Sequence, residues 1–458
     1  MQEGLHKISS SEDTIVALST PMGRSGIGVI RVSGPLAQPL VGKFFKGSRV
    51  PSHRQAIVGA WHDTAGSLID EVVLTLFEKP QSYTGEDVLE ISAHGSPLIL
   101  QKIISMIQSY GVRLAAPGEF TLRAVINGKM DLLQAEAVRD FIDAQTDTQA
   151  RTAMRQMSGS VSRRLSPVKQ QLIKLIAHLE AGIDFAEDDV ELPDSTKIAN
   201  EVRDVKDTLE ALQRTYSYGR LLKLGIRIVI VGKPNVGKSS LFNCLVNSDR
   251  AIVTDIPGTT RDIISEGTSL DGIPLNIFDT AGVREALDRV EQIGVSRALE
   301  TAAEADLILF VVDGSATFEQ EDQNVWERVR QLPHLVVANK ADLAQAHDPE
   351  LEKMRPIRLS ARTGEGLDEL RRTIRNSLGE IPSEDLAESI LTTARQHEAV
   401  VRAITQLEGG EAALNEGVPH EMVLLDLYQA LVSLNELTGE TTTEDILGQI
   451  FSTFCIGK

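Results

Sequence analysis

A phosphate-binding pattern lies at 232–239, where the sequence reads Gly-Lys-Pro-Asn-Val-Gly-Lys-Ser. It fits G-x-x-x-x-G-K-[ST], in which backbone N–H groups surround phosphate oxygens, the lysine reaches the β- and γ-phosphates and the hydroxyl holds Mg²⁺. An apolar, β-branched run at 226–231 precedes the pattern, and a helical run at 240–245 follows it. This strand–loop–helix context predicts a nucleotide site. Its phosphate-side residues are Asn235, Val236, Gly237, Lys238, Ser239 and Ser240.

A second segment, Asp279-Thr280-Ala281-Gly282, follows the apolar run at 275–278. Asp279 is therefore expected at the C-terminal end of a strand, where a carboxylate orders Mg²⁺ and its waters. The N–H of Gly282 is expected to meet the γ-phosphate.

Two further segments select the base. Asn339-Lys340-Ala341-Asp342 follows a buried run at 335–338, and a carboxylate there accepts hydrogen bonds from guanine N1–H and the exocyclic amine. Adenine does not offer these two donors, and a carboxylate left unpaired in a binding site costs several kcal/mol. Ser360-Ala361-Arg362 follows 357–359 and places a backbone N–H against guanine O6. The segments occur in order, each after a strand, which predicts a GTP site.

The segment between the phosphate loop and Asp279 is predicted to be a switch. A threonine here binds Mg²⁺ and the γ-phosphate only when GTP is present, and the residues alone do not choose between Thr259 and Thr260. The predicted contacts with the nucleotide are Thr254, Asp255, Ile256, Pro257, Gly258, Thr259 and Thr260.

The usual water-orienting residue of a GTPase is absent from position 283, which is a valine. Ras-type proteins have a glutamine directly after Asp-x-x-Gly to orient the attacking water, and valine cannot do this. Another group must align the water and another cation must replace an arginine finger. The polar candidates nearby are Arg284, Glu285, Asp288, Arg289 and Glu291.

The elements that must position these residues fall into four stretches, within a length typical of about three domains. Residues 1–128 predict an α+β domain, 129–222 and 382–458 are helical, and 223–381 alternate strand and helix around a parallel sheet. The two helical stretches are expected to form one domain, with the α/β module inserted into it. Strands are predicted at 14–18, 28–32, 55–60, 71–77 and 87–92, and helices at 97–110, 386–407 and 422–437. His94-Gly95-Ser96-Pro97 is either an anion cradle or an ordinary strand-to-helix turn.

Composition limits the remaining choices. The net charge of −19 argues against non-specific electrostatic binding of nucleic acid. Any RNA contact must therefore be local or shared with a partner. One stretch, 148–179, contains no Asp or Glu and six Arg or Lys, which indicates either a local RNA or partner face or a solvated face balanced by acidic neighbours. No apolar run reaches the length of a membrane span, and residues 1–13 have no signal-peptide core. Two cysteines make no disulfide framework, so we expect a cytoplasmic protein.

Five stretches carry a family resemblance. The phosphate loop with its Ser-Leu-Phe-Asn continuation, together with Pro-Gly-Thr-Thr-Arg-Asp at 257–262, resembles the bacterial GTPases of the Era, Der and MnmE (TrmE) group. Ser-Tyr-Thr-Gly-Glu-Asp at 82–87, Asn-Gly-Lys-Met-Asp-Leu-Leu-Gln-Ala-Glu-Ala at 127–137 and the final Cys-Ile-Gly-Lys resemble the MnmE family in particular. The resemblance covers essentially the whole chain.

The resemblance implies a multidomain fold with three parts: an α+β N-terminal folate-binding domain that dimerises, a discontinuous all-α helical domain and an inserted α/β Ras-like G domain. It also implies a K⁺-activated GTPase that forms a homodimer, and a heterotetramer with the FAD-dependent flavoprotein MnmG (GidA). Together they would modify C5 of the wobble uridine in certain tRNAs. The one-carbon donor would be a tetrahydrofolate derivative, 5-formyl- or 5,10-methylene-tetrahydrofolate.

The resemblance also assigns residues. It places folate at Arg31, Glu90 and Lys129, K⁺ at Asn235, Thr254, Ile256 and Thr259, and Mg²⁺ at Ser239 and Thr260. It selects Glu291 as the group that orients water, through a bridging water, with K⁺ supplying the charge of an arginine finger. Pro257 departs from the family, which has Ala there, and stiffens the switch.

The C-terminal residues Cys455 and Lys458 form a further candidate site. A thiolate nucleophile would suit transfer to uridine C5, but no histidine or basic pair lies near Cys455 in sequence, and a structural or site-lining role is favoured. The alternative for the whole chain is an Era- or Der-like ribosome-assembly GTPase that binds RNA without modifying it. That function requires a KH-like domain or a second G domain, and the sequence contains only one Gly-Lys-Ser loop.

Overall fold

The structure, a computed structural model, describes residues 13–49, 51–184, 195–247, 268–279, 305–377, 386, 388–441 and 444–457. The chain divides into two compact units. Unit 1 comprises Met1–Arg139 with Leu434–Lys458, and unit 2 comprises Asp140–Ser433.

Unit 1 is built on a seven-stranded sheet of order β3-β4-β5-β6-β2-β1-β7, antiparallel except for the parallel pair β1–β7. The strands are β1 Ile15–Leu18, β2 Ile27–Ser33, β3 Phe45–Gly47, β4 Ala56–His62, β5 Leu68–Phe77, β6 Val88–His94 and β7 Arg113–Leu114. The helices before residue 139 are α1 Ala37–Phe44, α2 Pro97–Ser109, α3 Glu119–Ile126 and the start of α4 Leu132–Ile142.

The sheet of unit 1 has one face covered by α1 and α2. Alternate side chains of the central strands, such as Ile30, Leu74 and Ile91, are fully buried in this core, as period-2 patterning requires. All five predicted strands and the helix that starts at Pro97 are confirmed. The sequence analysis missed β3, β7, α1 and α3.

The turn before α2 is an ordinary strand-to-helix turn. The backbone N–H and the ring Nδ1 of His94 lie 2.8 Å and 2.7 Å from the carboxylate oxygens of Asp70. A carboxylate already bonded there disfavours an anion, so the cradle interpretation is wrong.

The chain's final helix returns to unit 1. Helix α15, Glu444–Phe451, and the turn after it pack Phe451 and Phe454 against Leu122 and Leu132. Gly118 makes this approach possible, since a Cβ there would lie 2.8 Å from the carbonyl oxygen of Phe451.

Unit 2 contains a six-stranded sheet of order β13-β12-β11-β8-β10-β9, parallel except for the edge strand β9. Its strands are β8 Ile226–Val231, β9 Thr268–Leu270, β10 Ile273–Asp279, β11 Leu307–Asp313, β12 His334–Asn339 and β13 Ile357–Arg358. Its helices are α9 Lys238–Asn247, α10 Gln320–Val329, α11 Pro349–Lys353 and α12 Leu367–Ser377. Apolar cores lie on both faces, which is why the central strands are continuous hydrophobic runs.

The remaining elements of unit 2 are helices: α5 Asp147–Met157, α6 Ser160–Asp184, α7 Ser195–Arg214, α8 Tyr216–Leu224, α13 Ala394–Asn415 and α14 His420–Thr438, whose last residues belong to unit 1. Helices α7 and α13 pair closely, and Glu411 bonds to both Arg203 and Lys206. In the acid-free stretch, Arg151, Arg163 and Lys174 are exposed whereas Lys169 is buried. Both interpretations of this stretch stay predictions.

The predicted helix at 386–407 has the wrong start. Helix α13 begins only at Ala394, because Thr393 is its N-cap and forms a capping box with Gln396. It then continues to Asn415. The predicted loop at 184–194 lies outside the described residues from 185 on.

Candidate functional site

The phosphate loop lies between β8 and α9, at the carboxyl edge of the parallel sheet. Gly232 is required by a close approach, since a Cβ there would lie 2.2 Å from the carbonyl oxygen of Val311 on the neighbouring strand. Helix α9 begins at Lys238, so its N-terminal N–H groups point to the loop. The Nζ of Lys238 donates to the carbonyl of Lys233 at 2.8 Å. The loop therefore holds its own lysine.

The phosphate loop is tied to the base-recognition segment through Asn339. This side chain is 3% exposed, and its Nδ2 donates to the carbonyl of Val236 at 2.8 Å while its Oδ1 accepts from the N–H of Ala361 at 2.9 Å. Gly237 leaves room for it, because a Cβ there would lie 2.2 Å from the same Nδ2. The N–H of Ala361 is thus engaged, and the expected N–H for guanine O6 remains a prediction.

The side chain of Lys340, which follows β12, reaches the end of the neighbouring strand β11. Lys340 has a left-handed backbone with φ of 68°, and its Nζ lies 2.6 Å from Oδ2 of Asp313. Burial by itself raises the pKa of Asp313, but hydrogen bonds from Lys340 and Ser315 outweigh it and hold that pKa below its usual value. Asp313 is therefore ionised at neutral pH and fixes the lysine.

Asp342, the predicted guanine partner, is held by two groups. The hydroxyl of Ser360 donates to Oδ1 at 2.6 Å and the Arg362 guanidinium lies 2.9 Å from Oδ2. The Ser360 hydrogen bond above all, and then the charge of Arg362, lowers the pKa of Asp342. An ionised, acceptor-only carboxylate is the species that guanine's two donors require.

The residues predicted to hold Mg²⁺ fit a hard cation as far as they are described. Ser239 is exposed in the first turn of α9, and Asp279 ends β10, in register with Ile230 of β8. Hydroxyl and carboxylate oxygens are ligands that Mg²⁺ accepts, and the backbone of both residues lies at the carboxyl edge of the sheet. Asn235 is exposed with a left-handed backbone, and its amide oxygen suits a monovalent cation.

The structure thus gathers the loop residues and the Asn339, Asp342 and Ser360 segments at one sheet edge. Other predicted contacts lie outside the described residues: Thr254, Asp255, Ile256, Pro257, Gly258, Thr259, Thr260, Thr280, Ala281, Gly282, Glu291 and Lys458.

Arg31 and Glu90, two of the predicted folate residues, form an ion pair in unit 1. They are register partners on β2 and β6, and Nε and Nη2 of Arg31 donate to Oε1 of Glu90 at 3.0 Å and 2.8 Å. The guanidinium carbon also lies 5.5 Å from the ring centre of Tyr83 and 5.8 Å from that of Phe120. A half-buried ion pair between aromatic rings fits a flat, polar heterocycle.

The C-terminal tail reaches this pair. The carbonyl of Gly457 accepts from Nη1 of Arg31 at 3.4 Å and from the hydroxyl of Ser19 at 3.2 Å. Cys455 is exposed. Lys129, in contrast, donates to the carbonyl of Pro80 at 2.9 Å, so it contacts a different loop of unit 1.

Sequence reasoning missed Asp313 and Lys233. A usable signal existed for Asp313, which directly ends an apolar strand just as Asp279 and Asn339 do. No local signal pointed to Lys233, whose partners Glu319 and Asp322 lie far along the chain.

A phosphate loop at the first strand of a doubly wound sheet, with an Asn-Lys-x-Asp segment at the end of β12 beside it, defines the P-loop GTPase class. Residues 132–455 match the family model described as MnmE helical domain, and residues 14–129 match that described as GTP-binding protein TrmE N-terminus. The chain belongs to the MnmE family.

Relatives named tRNA modification GTPase MnmE span nearly the full length. That of Koribacter versatilis (strain Ellin345) is 47% identical over 453 residues, with 98% of this chain and 99% of the relative covered. That of Aquifex aeolicus (strain VF5) is 43% identical over 448 residues, with 97% and 100% covered. A solved structure of an Aquifex aeolicus Era variant bound to GDP and AlF4⁻ is 26% identical over 39% of this chain and 66% of that one, with a TM-score of 0.26. That score is low, so the fold assignment rests on the strand order itself.

No helix among the described residues has the length and apolar character needed to span a membrane.

Proposed function

We propose that this chain hydrolyses GTP as part of an enzyme that modifies tRNA. The observation that carries the GTP half is the ionised Asp342, fixed by Ser360 beside a phosphate loop to which Asn339 is hydrogen-bonded. The names of the full-length relatives support the tRNA half. The finer target is the wobble uridine at C5 in certain tRNAs.

At the nucleotide, the chain's own residues bind and orient. Lys238 faces the β- and γ-phosphates, and Ser239 and Asp279 hold Mg²⁺ together with Thr260. Asn235, with Thr254, Ile256 and Thr259, holds K⁺. The two cations, when bound, neutralise charge on the phosphates. Glu291 orients the attacking water because Val283 cannot.

At the one-carbon site, Arg31 and Glu90 bind a tetrahydrofolate derivative, either 5-formyl- or 5,10-methylene-tetrahydrofolate. Support comes from the aromatic rings beside the pair and from the C-terminal tail that contacts Arg31. Lys129, which donates to the carbonyl of Pro80, is assigned to the same ligand by the family resemblance alone. Cys455 and Lys458 of the C-terminal segment are assigned to the same site.

The assembly follows the family. Residues 1–128 form the folate-binding and dimerisation domain, 129–222 and 382–458 form the helical domain, and 223–381 form the G domain. The chain forms a homodimer that joins the flavoprotein MnmG (GidA) in a heterotetramer and acts on tRNA in the cytoplasm. The Era- or Der-like alternative has no support, since the described residues from 388 onward contain three helices and no strand.

The cation mechanism is tested by GTPase rates in K⁺ and in Na⁺ at equal ionic strength, with a Glu291→Ala variant. We expect a rate at least about tenfold higher in K⁺ and a comparable loss in the variant, since aligning water and screening charge each contribute several kcal/mol. Equal rates in both salts would contradict the role of K⁺. An unimpaired Glu291→Ala variant would show that Glu291 does not orient the water.

The one-carbon site is tested by calorimetric titration with 5-formyl-tetrahydrofolate. Wild type should release heat with one ligand per chain, and Arg31→Met should not. Arg24→Met, at an exposed arginine with no bonded partner among the described residues, is the matched control. No heat from folded wild type would count against the folate proposal and leave the GTP proposal intact.

A further inference from the structure

Lys233 occupies a variable position of the phosphate-loop pattern, yet its side chain is only 14% exposed. Its Nζ lies 2.8 Å from Oε2 of Glu319 and 2.8 Å from Oδ2 of Asp322. Glu319 is the N-cap of α10 and Asp322 lies in the first turn of that helix. One ammonium therefore joins the phosphate loop to the start of a helix that follows β11.

Burial of the Asp322 carboxylate costs free energy of folding unless a cation pairs with it. The Asp322 side chain is 3% exposed, its Oδ2 accepts from the N–H of Glu319 at 3.1 Å, and its Oδ1 has no partner among the described residues. A buried carboxylate is tolerated only when a cation pairs with it. The Lys233 ammonium, 2.8 Å from Oδ2, supplies that cation.

The backbone carbonyl of Lys233 makes a second contact in the phosphate loop. It accepts the hydrogen bond from Nζ of Lys238 at 2.8 Å. Lys238 is the lysine expected to face the phosphates. Lys233 is thus fixed at its side chain by α10, and its carbonyl holds the ammonium of Lys238.

We propose that Lys233 is a positioning residue for Lys238, anchored on Asp322 and Glu319 so that its carbonyl orients the Lys238 ammonium toward the β- and γ-phosphates. This inference rests on the proposed nucleotide function. Without the anchor, the loop carbonyl loses its fixed place, and the lysine loses part of its preorganisation for phosphate.

The test is a double-mutant cycle on GDP affinity, measured by displacement of a fluorescent GDP. Lys233→Met should weaken GDP binding about tenfold, the size of one charge-assisted hydrogen bond. Lys238→Ala should weaken it further, and Lys233→Met in the Lys238→Ala background should change it less than about twofold. Lys233→Arg, which keeps the cation, should recover most of the affinity. Lys353→Met, which removes an exposed pair with Glu350, is the control and should have no effect.

The cycle distinguishes a positioning role of Lys233 from a merely structural ion pair. Additive effects of Lys233→Met and Lys238→Ala, or a lowered melting temperature of Lys233→Met with unchanged GDP affinity, would show a merely structural pair and overturn the inference. If Lys233→Met does not fold, Asp322→Asn combined with Lys238→Ala gives the same cycle, since an amide keeps the shape and removes the anchoring charge. If wild type binds no GDP, the proposed function fails first, and this inference fails with it.

Discussion

The side-chain nitrogen of Asn339 donates to the carbonyl of Val236 at 2.8 Å, across 103 residues of sequence. This bond joins the predicted base-recognition segment to the phosphate loop. One buried amide therefore links the two ends of the predicted nucleotide site, and disturbing it should affect the whole site.

Asn339→Ala tests this link. The substitution leaves the carbonyl of Val236 and the N–H of Ala361 without partners in a buried place, at about 1–3 kcal/mol each. We expect GDP and GTP affinity to fall by more than about tenfold. Asn324→Ala, at an exposed position on α10, is the control. Wild-type affinity in Asn339→Ala, measured by equilibrium titration, would contradict the link.

Glu119 makes unit 1 sensitive to acid. Its side chain is 0% exposed and accepts hydrogen bonds from Arg113 and Arg123. Burial alone raises the pKa of Glu119, but the hydrogen bond from Arg113, then the Ala116 N–H and the charges of the arginines outweigh it, and the pKa lies below the usual 4.5. Because the unfolded carboxyl takes its proton at higher pH, this stabilisation is complete above about 4.5 and is lost as pH falls through the folded value.

Glu119→Gln should therefore cost about 3 kcal/mol at pH 7, as for a broken buried ion pair, and less as the pH falls below 4.5. The chain has two tryptophans, and in a Trp326→Phe background the fluorescence of the buried Trp61 reports on unit 1 during urea unfolding. Glu71→Gln, at an exposed position, should show no such dependence. The same cost for Glu119→Gln at pH 7 and at low pH would refute the account.

Gly219 fixes the contact between α8 and the segment before α13. A Cβ there would lie 2.0 Å from the carbonyl oxygen of Leu391 and 2.5 Å from Cγ2 of Ile390. Gly219→Ala should therefore lower the free energy of unfolding of unit 2 by about 1–3 kcal/mol, because backbone must move.

Gly410→Ala is the matched control for this prediction. Gly410 lies in α13, and a Cβ there would meet nothing closer than Cβ of Asp426 at 3.6 Å. The higher helix propensity of alanine should therefore raise the free energy of unfolding by about 0.5–1 kcal/mol. Urea unfolding followed by Trp326 in a Trp61→Phe background measures both. Equal and small effects of the two alanines would show that the approach at Gly219 is not tight.

The sequence predicted most of the fold where patterns are local. The strand–loop–helix at 226–247 and the strands ending at Asp279 and Asn339 follow from runs of apolar residues and their spacing. Helix α1 was missed because Pro39 and Gly42 lie within its eight residues, and β7 is only two residues long. Periodicity has no means of detecting either.

The candidate site was less accessible where pairing is non-local. Lys233 with Asp322, Lys340 with Asp313, and Arg31 with Glu90 each join residues that are 27 or more apart. Which charges meet depends on strand order, and a single sequence does not contain that order. The switch residues 254–260 and Glu291 lie outside the described structure and stay predictions.

The most direct measurement of the central claim, that this sheet edge is a guanine-nucleotide site, is a base swap at Asp342. Competition between GDP and xanthosine diphosphate is measured for wild type and for Asp342→Asn. Wild type should prefer GDP by at least about a hundredfold, because its carboxylate accepts from N1–H and the exocyclic amine. Asp342→Asn should prefer the xanthine nucleotide, whose carbonyl at C2 accepts from the amide. A variant that keeps wild-type guanine preference would contradict the account.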